Sequence, residues 1–183
     1  MYMTIFFSTL VVAAIALPAP QTEPSPDSQG WKPAPNSVVT CDTTSDKIVS
    51  FYVGPQQEQV LGDACGEMMP PCASGNGDAC PAVMDWELEG PATSTQSANV
   101  ESAENGNKMS GWAVQFNVTP PPKIASTPVM WQYEECKGYF RRIVEKQLPE
   151  GCHNSMGSGI GSIKVGGDGS LKDAVFEIKI VKK

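Results

Sequence analysis

The chain has 183 residues, with 20 acidic against 13 basic side chains and a formal charge of −7. Phosphate repels such a chain, which argues against a general nucleic-acid binder. The imbalance is local: residues 42–104 hold eleven acids and one base, Lys47, whereas residues 137–183 hold nine bases and five acids. Either the C-terminal third forms a basic patch or the two halves attract each other in the fold.

Residues 1–16, MYMTIFFSTLVVAAIA, form an uncharged apolar run. Its core from Ile5 to Ile15 has the length of a signal-peptide h-region, and Ala14-Ile15-Ala16 supplies small residues for cleavage before Leu17. A membrane span needs about 20 apolar residues, so the run is short for one. Its start carries no Lys or Arg, and the alternative reading is a retained N-terminal anchor. No second stretch is long enough to span a bilayer, and the charged ending Ile180-Val181-Lys182-Lys183 does not resemble a glycolipid-anchor signal. The expectation is a secreted, extracellular protein with no membrane attachment after cleavage.

Residues 17–37 hold Pro18, Pro20, Pro24, Pro26, Pro33 and Pro35. That density favours extended, solvated backbone, so the segment is expected to be disordered. Residues 38–183 are then one domain. All six cysteines lie downstream of the leader: Cys41, Cys65, Cys72, Cys80, Cys136 and Cys152. An even count in a small exported domain predicts disulfides. Six cysteines allow fifteen connectivities, and the sequence does not choose among them. One of them closes a short loop with Cys72–Cys80, ties two helices with Cys65–Cys136 and leaves Cys41–Cys152.

The β-branched and aromatic run Lys47–Val53 predicts a strand. Pro55 and Glu58 suit the start of a helix over Pro55–Cys65, with Val60, Leu61, Ala64 and Cys65 on its buried face and Gly66 as its stop. Residues 68–81 read as irregular. Val83–Glu89 alternates Trp86 and Leu88 against Asp85, Glu87 and Glu89, which predicts a strand with one wet face. Residues 90–108, rich in Ser, Thr, Asn and Glu, predict a long flexible loop.

Trp112–Val118 is the clearest strand, with Trp112, Val114, Phe116 and Val118 on one side. Val129, Trp131 and Tyr133 suggest a short further strand. Glu135–Leu148 places Cys136, Tyr139, Phe140, Ile143 and Leu148 on one face and Arg141, Arg142, Glu145 and Lys146 on the other, an amphipathic helix. A Gly-rich stretch over 157–169 reads as turn or loop, and Val175–Val181 as a last strand. The order predicts an α+β fold: an antiparallel sheet with two helices on one face, the split βαβ, ferredoxin-like plan, stapled by disulfides.

Three pieces of this pattern resemble the small secreted fungal proteins that share the α/β-sandwich plan of the smut-fungus viral killer toxins. They are the helix ending in Val60-Leu61-Gly62-Asp63-Ala64-Cys65, the strand Trp112–Val118, and the helix running from Glu135-Cys136 through Arg141-Arg142 toward Cys152. Cys72 and Cys80 are additions to the four-cysteine version of that group. The resemblance implies a secreted, non-enzymatic, effector- or toxin-like protein and carries over no catalytic residues.

The remaining chemistry is sparse. His153 is the single histidine, so any Ser-His or Cys-His mechanism would have to use it; its place beside Cys152 at a helix end favours a structural role. The cysteine spacings do not match a zinc site, and neither metal nor cofactor is expected. Asp85, Glu87 and Glu89 share one strand face, which suits acid–base hydrolysis or calcium binding, but also a solvated edge. Gly157-Ser158-Gly159-Ile160-Gly161 lacks the third glycine of a dinucleotide loop. Asn117-Val118-Thr119 is a glycosylation sequon, with Pro120 following it. Trp86, Trp112 and Trp131 either stack on sugars or fill the core.

These readings converge on a monomeric, secreted interaction protein that binds a host or cell-wall component. The alternatives are a glycan-binding protein that uses exposed aromatics, and a small hydrolase built on Asp85, Glu87 and Glu89.

Overall fold

In the computed structural model, residues 31–74, 85–122 and 128–183 are described. The predicted signal peptide over 1–16 and most of the predicted disordered segment lie outside them.

The described residues form eleven strands and two α-helices. In chain order these are β1 (Val38–Cys41), β2 (Lys47–Ser50), α1 (Gln57–Met68), β3 (Trp86–Glu87), β4 (Ala92–Gln96), β5 (Asn99–Ser102) and β6 (Trp112–Thr119). There follow β7 (Met130–Trp131), α2 (Tyr133–Glu145), β8 (His153–Asn154), β9 (Gly157–Ser158), β10 (Gly161–Lys164) and β11 (Val175–Lys182). A five-stranded antiparallel sheet runs β1-β10-β11-β6-β4, a four-stranded sheet runs β5-β2-β9-β8, and β3 pairs with β7.

The expected α+β architecture is present: mostly antiparallel sheet, two helices and disulfides. The strand pairing does not confirm the split βαβ, ferredoxin-like order, because the predicted first strand belongs to the four-stranded sheet and the Trp112 strand to the five-stranded one.

Both helices cover one face of the larger sheet. Ser94 of β4 lies opposite Phe116 of β6, so the two side chains share a face. Ser94 donates to Glu67 Oε2 of α1 at 2.6 Å. Phe116 meets Phe140 of α2 edge-on, with ring centroids 5.1 Å apart. Phe140 in turn meets Phe176 at 5.4 Å, and Tyr139 stacks on Phe176 at 4.7 Å. Cys136, Phe140, Ile143, Val144, Phe116, Ile163, Phe176 and Leu61 are all buried in this core.

Helix α1 runs on through Gly66 to Met68. An internal glycine costs about 1 kcal/mol, whereas Pro70-Pro71 forces the backbone preceding it out of helical geometry. Helix α2 opens two residues before the predicted start, on a capping box between Gln132 and Glu135. It ends at Glu145, before Leu148 and the cis Leu148–Pro149 bond. Leu148 is therefore 63% exposed and not part of the buried face.

Three further expectations are corrected. Residues 90–108 hold β4 and β5, whose polar composition hides buried Ser94 and Asn99. The Gly-rich stretch holds β9 and β10; at Gly161 a Cβ would lie 2.8 Å from Cys152 Sγ, so glycine there permits close strand approach. The described end of the Pro-rich segment is docked. Trp31 meets Tyr139 edge-on at 4.9 Å, and the Ala34 N–H donates to Tyr139 Oη at 3.3 Å. A Cβ at Gly138 would overlap the Trp31 indole, so this contact requires glycine on α2.

Cys65 and Cys136 are bonded, joining α1 to α2 across 71 residues, and Cys41–Cys152 joins β1 to the chain after α2 across 111 residues. Each such bond contributes roughly 2–4 kcal/mol. Cys72 is disulfide-bonded too, and Cys80, its expected partner, lies outside the described residues. Among the described residues no helix is long and apolar enough to cross a membrane.

Candidate functional site

The loop after β2, the β4–β5 connection, the start of β6 and the end of β11 enclose a groove of about 370 Å³. It is lined by residues 53–55, residues 97–100, residues 108–112 and Lys183. Gly54 has φ +97°, a left-handed conformation that glycine adopts without strain, and this aims the loop back over Asn99. Beside the groove Tyr52 is 80% and Val53 65% exposed.

Trp112 opens β6 opposite Lys182 and is half-buried. Lys47 Nζ sits 4.3 Å above its ring and pairs with Asp46, whose carboxyl is held below the ordinary range mainly by that hydrogen bond. The Lys183 amide donates to Gly111 O at 2.9 Å and its ammonium to Ser97 Oγ at 3.3 Å. Lys108 is tied through a bridge to Glu101 of β5. Asn99 donates from Nδ2 to Glu101 Oε1 at 2.5 Å, while its Oδ1 is buried with no partner.

A second groove of about 350 Å³ lies along α1 and is lined by Gln59, Gly62, Asp63, Gly66, Glu67, Gln96 and Tyr133. It is polar and acidic. Among the described residues no group of His, Cys, Asp and Glu side chains could hold a metal ion.

The three tryptophans do not form a common platform. Trp86 and Trp131 are cross-strand partners in β3 and β7, and Trp131 is only 2% exposed, so it belongs to the core. Trp112 alone reaches the first groove. Asp85, Glu87 and Glu89 are exposed and line neither groove. Asp85 accepts a hydrogen bond from Gln132 Nε2 at 2.6 Å, beside the start of α2. Nearby Glu135 accepts from the Gln132 amide at 2.9 Å, and burial pushes its carboxyl above the ordinary range, with Asp85 adding to the rise.

His153 Nδ1 lies 3.1 Å from Val144 O, which a protonated nitrogen can donate to. The same carbonyl accepts from buried Ser158 Oγ at 2.7 Å. These contacts tie β8 and β9 to the end of α2 and are structural. Asn117 lies in the middle of the larger sheet, between Thr93 and Glu177. It is half-buried on the face away from the helices and accepts from Thr93 Oγ1 at 3.0 Å.

Asn99, Lys108 and Lys183 were not singled out in the sequence. Only Lys47 carried a signal, as the single base among the acids of 42–104. Neither a protein-family model, nor a curated protein, nor a solved structure matches this chain.

Proposed function

We propose that this chain is an exported, disulfide-stapled interaction protein of effector or toxin type, fungal in origin, which acts by binding an extracellular component rather than by catalysis. The observation that carries the reading is the pairing of Cys65 with Cys136 and of Cys41 with Cys152 around one core, which suits an oxidising compartment. The groove at Trp112 is the surface through which this protein binds its partner. Asn117 is a glycan acceptor on the outer sheet face.

Glycan binding is favoured as the second reading by one feature: Trp112 lies in a groove that also presents the polar side chains of Ser97, Ser110, Lys108 and Lys183. The hydrolase reading has no such support, since its three carboxylates stand on an exposed two-residue strand and its flanks.

The test is secretion from a eukaryotic host, thiol titration, and binding of the purified protein to extracellular plant and cell-wall extracts. We expect no titratable thiol and saturable binding that Trp112→Ala abolishes while the fold persists. Six free thiols, or a hydrolytic activity lost when Asp85, Glu87 and Glu89 become amides, would overturn the proposal.

A further inference from the structure

Residues 31–37 stand ahead of the first strand, yet they are fixed to two separate parts of the fold. The first anchor is α2. The Trp31 ring lies edge-on to Tyr139 with centroids 4.9 Å apart, and so close over Gly138 that any Cβ there would overlap it. Tyr139 itself stacks on Phe176, so Trp31 extends the aromatic core outward. The Ala34 amide adds a bond to Tyr139 Oη at 3.3 Å.

The second anchor is the connection from β10 to β11. The Gly166 amide donates to Ser37 Oγ at 3.0 Å, and that hydroxyl donates to Ala34 O at 2.7 Å. The Ser37 amide donates to the same carbonyl at 3.3 Å. A Cβ at Gly166 would overlap Pro35 O and Asn36, so the two backbones touch there. Asn36, at φ 61°, takes the left-handed conformation that asparagine tolerates and turns the chain into β1. β1 then pairs with β10, and Cys41 is bonded to Cys152. Glycines on two elements far apart in the chain thus leave room for the same short segment.

A protease takes its substrate as open backbone, so it cuts only where the fold releases the chain. Releasing residues 31–37 means withdrawing Trp31 from α2, breaking the Ser37 bonds and uncovering Tyr139. The sequence adds a second barrier. Lys32 is the only base in residues 1–46, and Pro33 follows it, placing a fixed ring with no N–H just after the cut. A protease that cuts after Lys or Arg therefore has no ordinary site before Lys47.

We infer that Trp31–Ser37 is a clamp that sets the N-terminal limit of proteolytic maturation. An extracellular endopeptidase that leaves the domain folded hydrolyses a peptide bond on the N-terminal side of Trp31. Water supplies the new carboxylate of the released piece and the new ammonium of the retained chain. The mature domain keeps Trp31, and this limit holds whatever the protein binds.

The test digests the secreted product with proteinase K, a protease of broad specificity, and reads the N-termini of the products by mass spectrometry. The shortest folded product is expected to begin at or before Trp31. Trp31→Ala, and separately Gly138→Ala, should move the limit into residues 32–38 and speed that cut about tenfold or more. Circular dichroism checks that both variants keep the fold. Hydrogen exchange on the unaltered protein reads the clamp without any substitution: the Ala34 and Ser37 amides should exchange about tenfold or more slower than open chain. A folded unaltered product that begins after Trp31, an unchanged limit in both variants, or exchange at the open-chain rate overturns the inference. Where the unaltered chain resists the protease altogether, or a variant fails to fold, the exchange rates decide.

Discussion

The helix side of the larger sheet and the groove end of the molecule are built on opposite terms. On the helix side Phe116, Phe140, Phe176 and Leu61 have no measurable exposure, and Ser94, the polar group at that face, has a partner in Glu67. Lys137, buried at 6% exposure, has Glu134 at 3.7 Å and Glu58 at 3.9 Å. Arg141 grips both oxygens of Glu58, at 2.9 and 2.5 Å, and this hydrogen bonding holds its guanidinium above its ordinary range. At the groove the walls are half polar, Tyr52 and Val53 stand in solvent, and Asn99 Oδ1 has no partner. The helix layer is apolar and held by paired charges, although Arg142 Nε on α2 is buried there without a partner, whereas the groove is half polar and open, so stability and recognition sit in different regions. Substitutions in the two regions should therefore separate in the same way.

The largest effect is expected from cutting the staple. Replacing Cys65 and Cys136 together by alanine should cost about 2–5 kcal/mol, seen as a lower denaturation midpoint. A loss below about 1 kcal/mol would mean that packing alone holds α1 to α2, and would weaken the contrast between the regions.

Next is the docked N-terminal turn. Gly138→Ala should cost about 1–3 kcal/mol, because the new methyl displaces the Trp31 indole. In a Trp31→Ala background the same change should reverse sign and stabilise by about 1 kcal/mol, since alanine outranks glycine inside a helix. A double-mutant cycle in denaturant measures this coupling. Additive effects would show that the Trp31 contact carries no energy.

A smaller effect is expected at Glu135. Burial raises its carboxyl in the folded state above the ordinary value of 4.5, so the folded chain holds that proton more tightly than the unfolded one. Its contribution to stability is thus greatest below the ordinary carboxyl range and falls as pH rises through the folded value. Glu135→Gln keeps an acceptor for the Gln132 amide and removes the charge. We expect a gain of less than about 1 kcal/mol at neutral pH that vanishes in acid, read from midpoints across pH. A gain that persists in acid would assign the effect to something other than ionisation.

The smallest change in stability belongs to the groove. Lys108→Glu should alter the unfolding midpoint by no more than about 0.5 kcal/mol while removing the ligand affinity expected there. A large loss of stability instead would make the groove part of the scaffold, no different in kind from the helix side.

Legibility in the sequence follows the same division. The apolar spacing of Cys136, Tyr139, Phe140 and Ile143 forecast the buried face of α2, and alternation forecast β6 and β11. Where apolar period meets core, pattern is enough. It fails at β4, whose ATSTQ sequence has its inward position filled by a serine bonded to Glu67. It fails again at β9 and β10, where glycines serve close backbone approach, and at Trp31, whose partner Tyr139 is distant in sequence. Asn99, Lys108 and Lys183 had no legible signal because each comes from a different element, and only folding brings them together.

By itself the sequence determined the α+β composition, both helices and the longest strands, because periodic burial is written locally in the order of apolar and polar residues. It also named the Cys65–Cys136 and Cys41–Cys152 pairs within one of the connectivities it allowed. Tertiary structure decided which sheet each strand joined, which tryptophan reached the groove and which buried polar atoms were left without a partner. Those outcomes depend on contacts between residues far apart in the chain, whose energies no local pattern encodes.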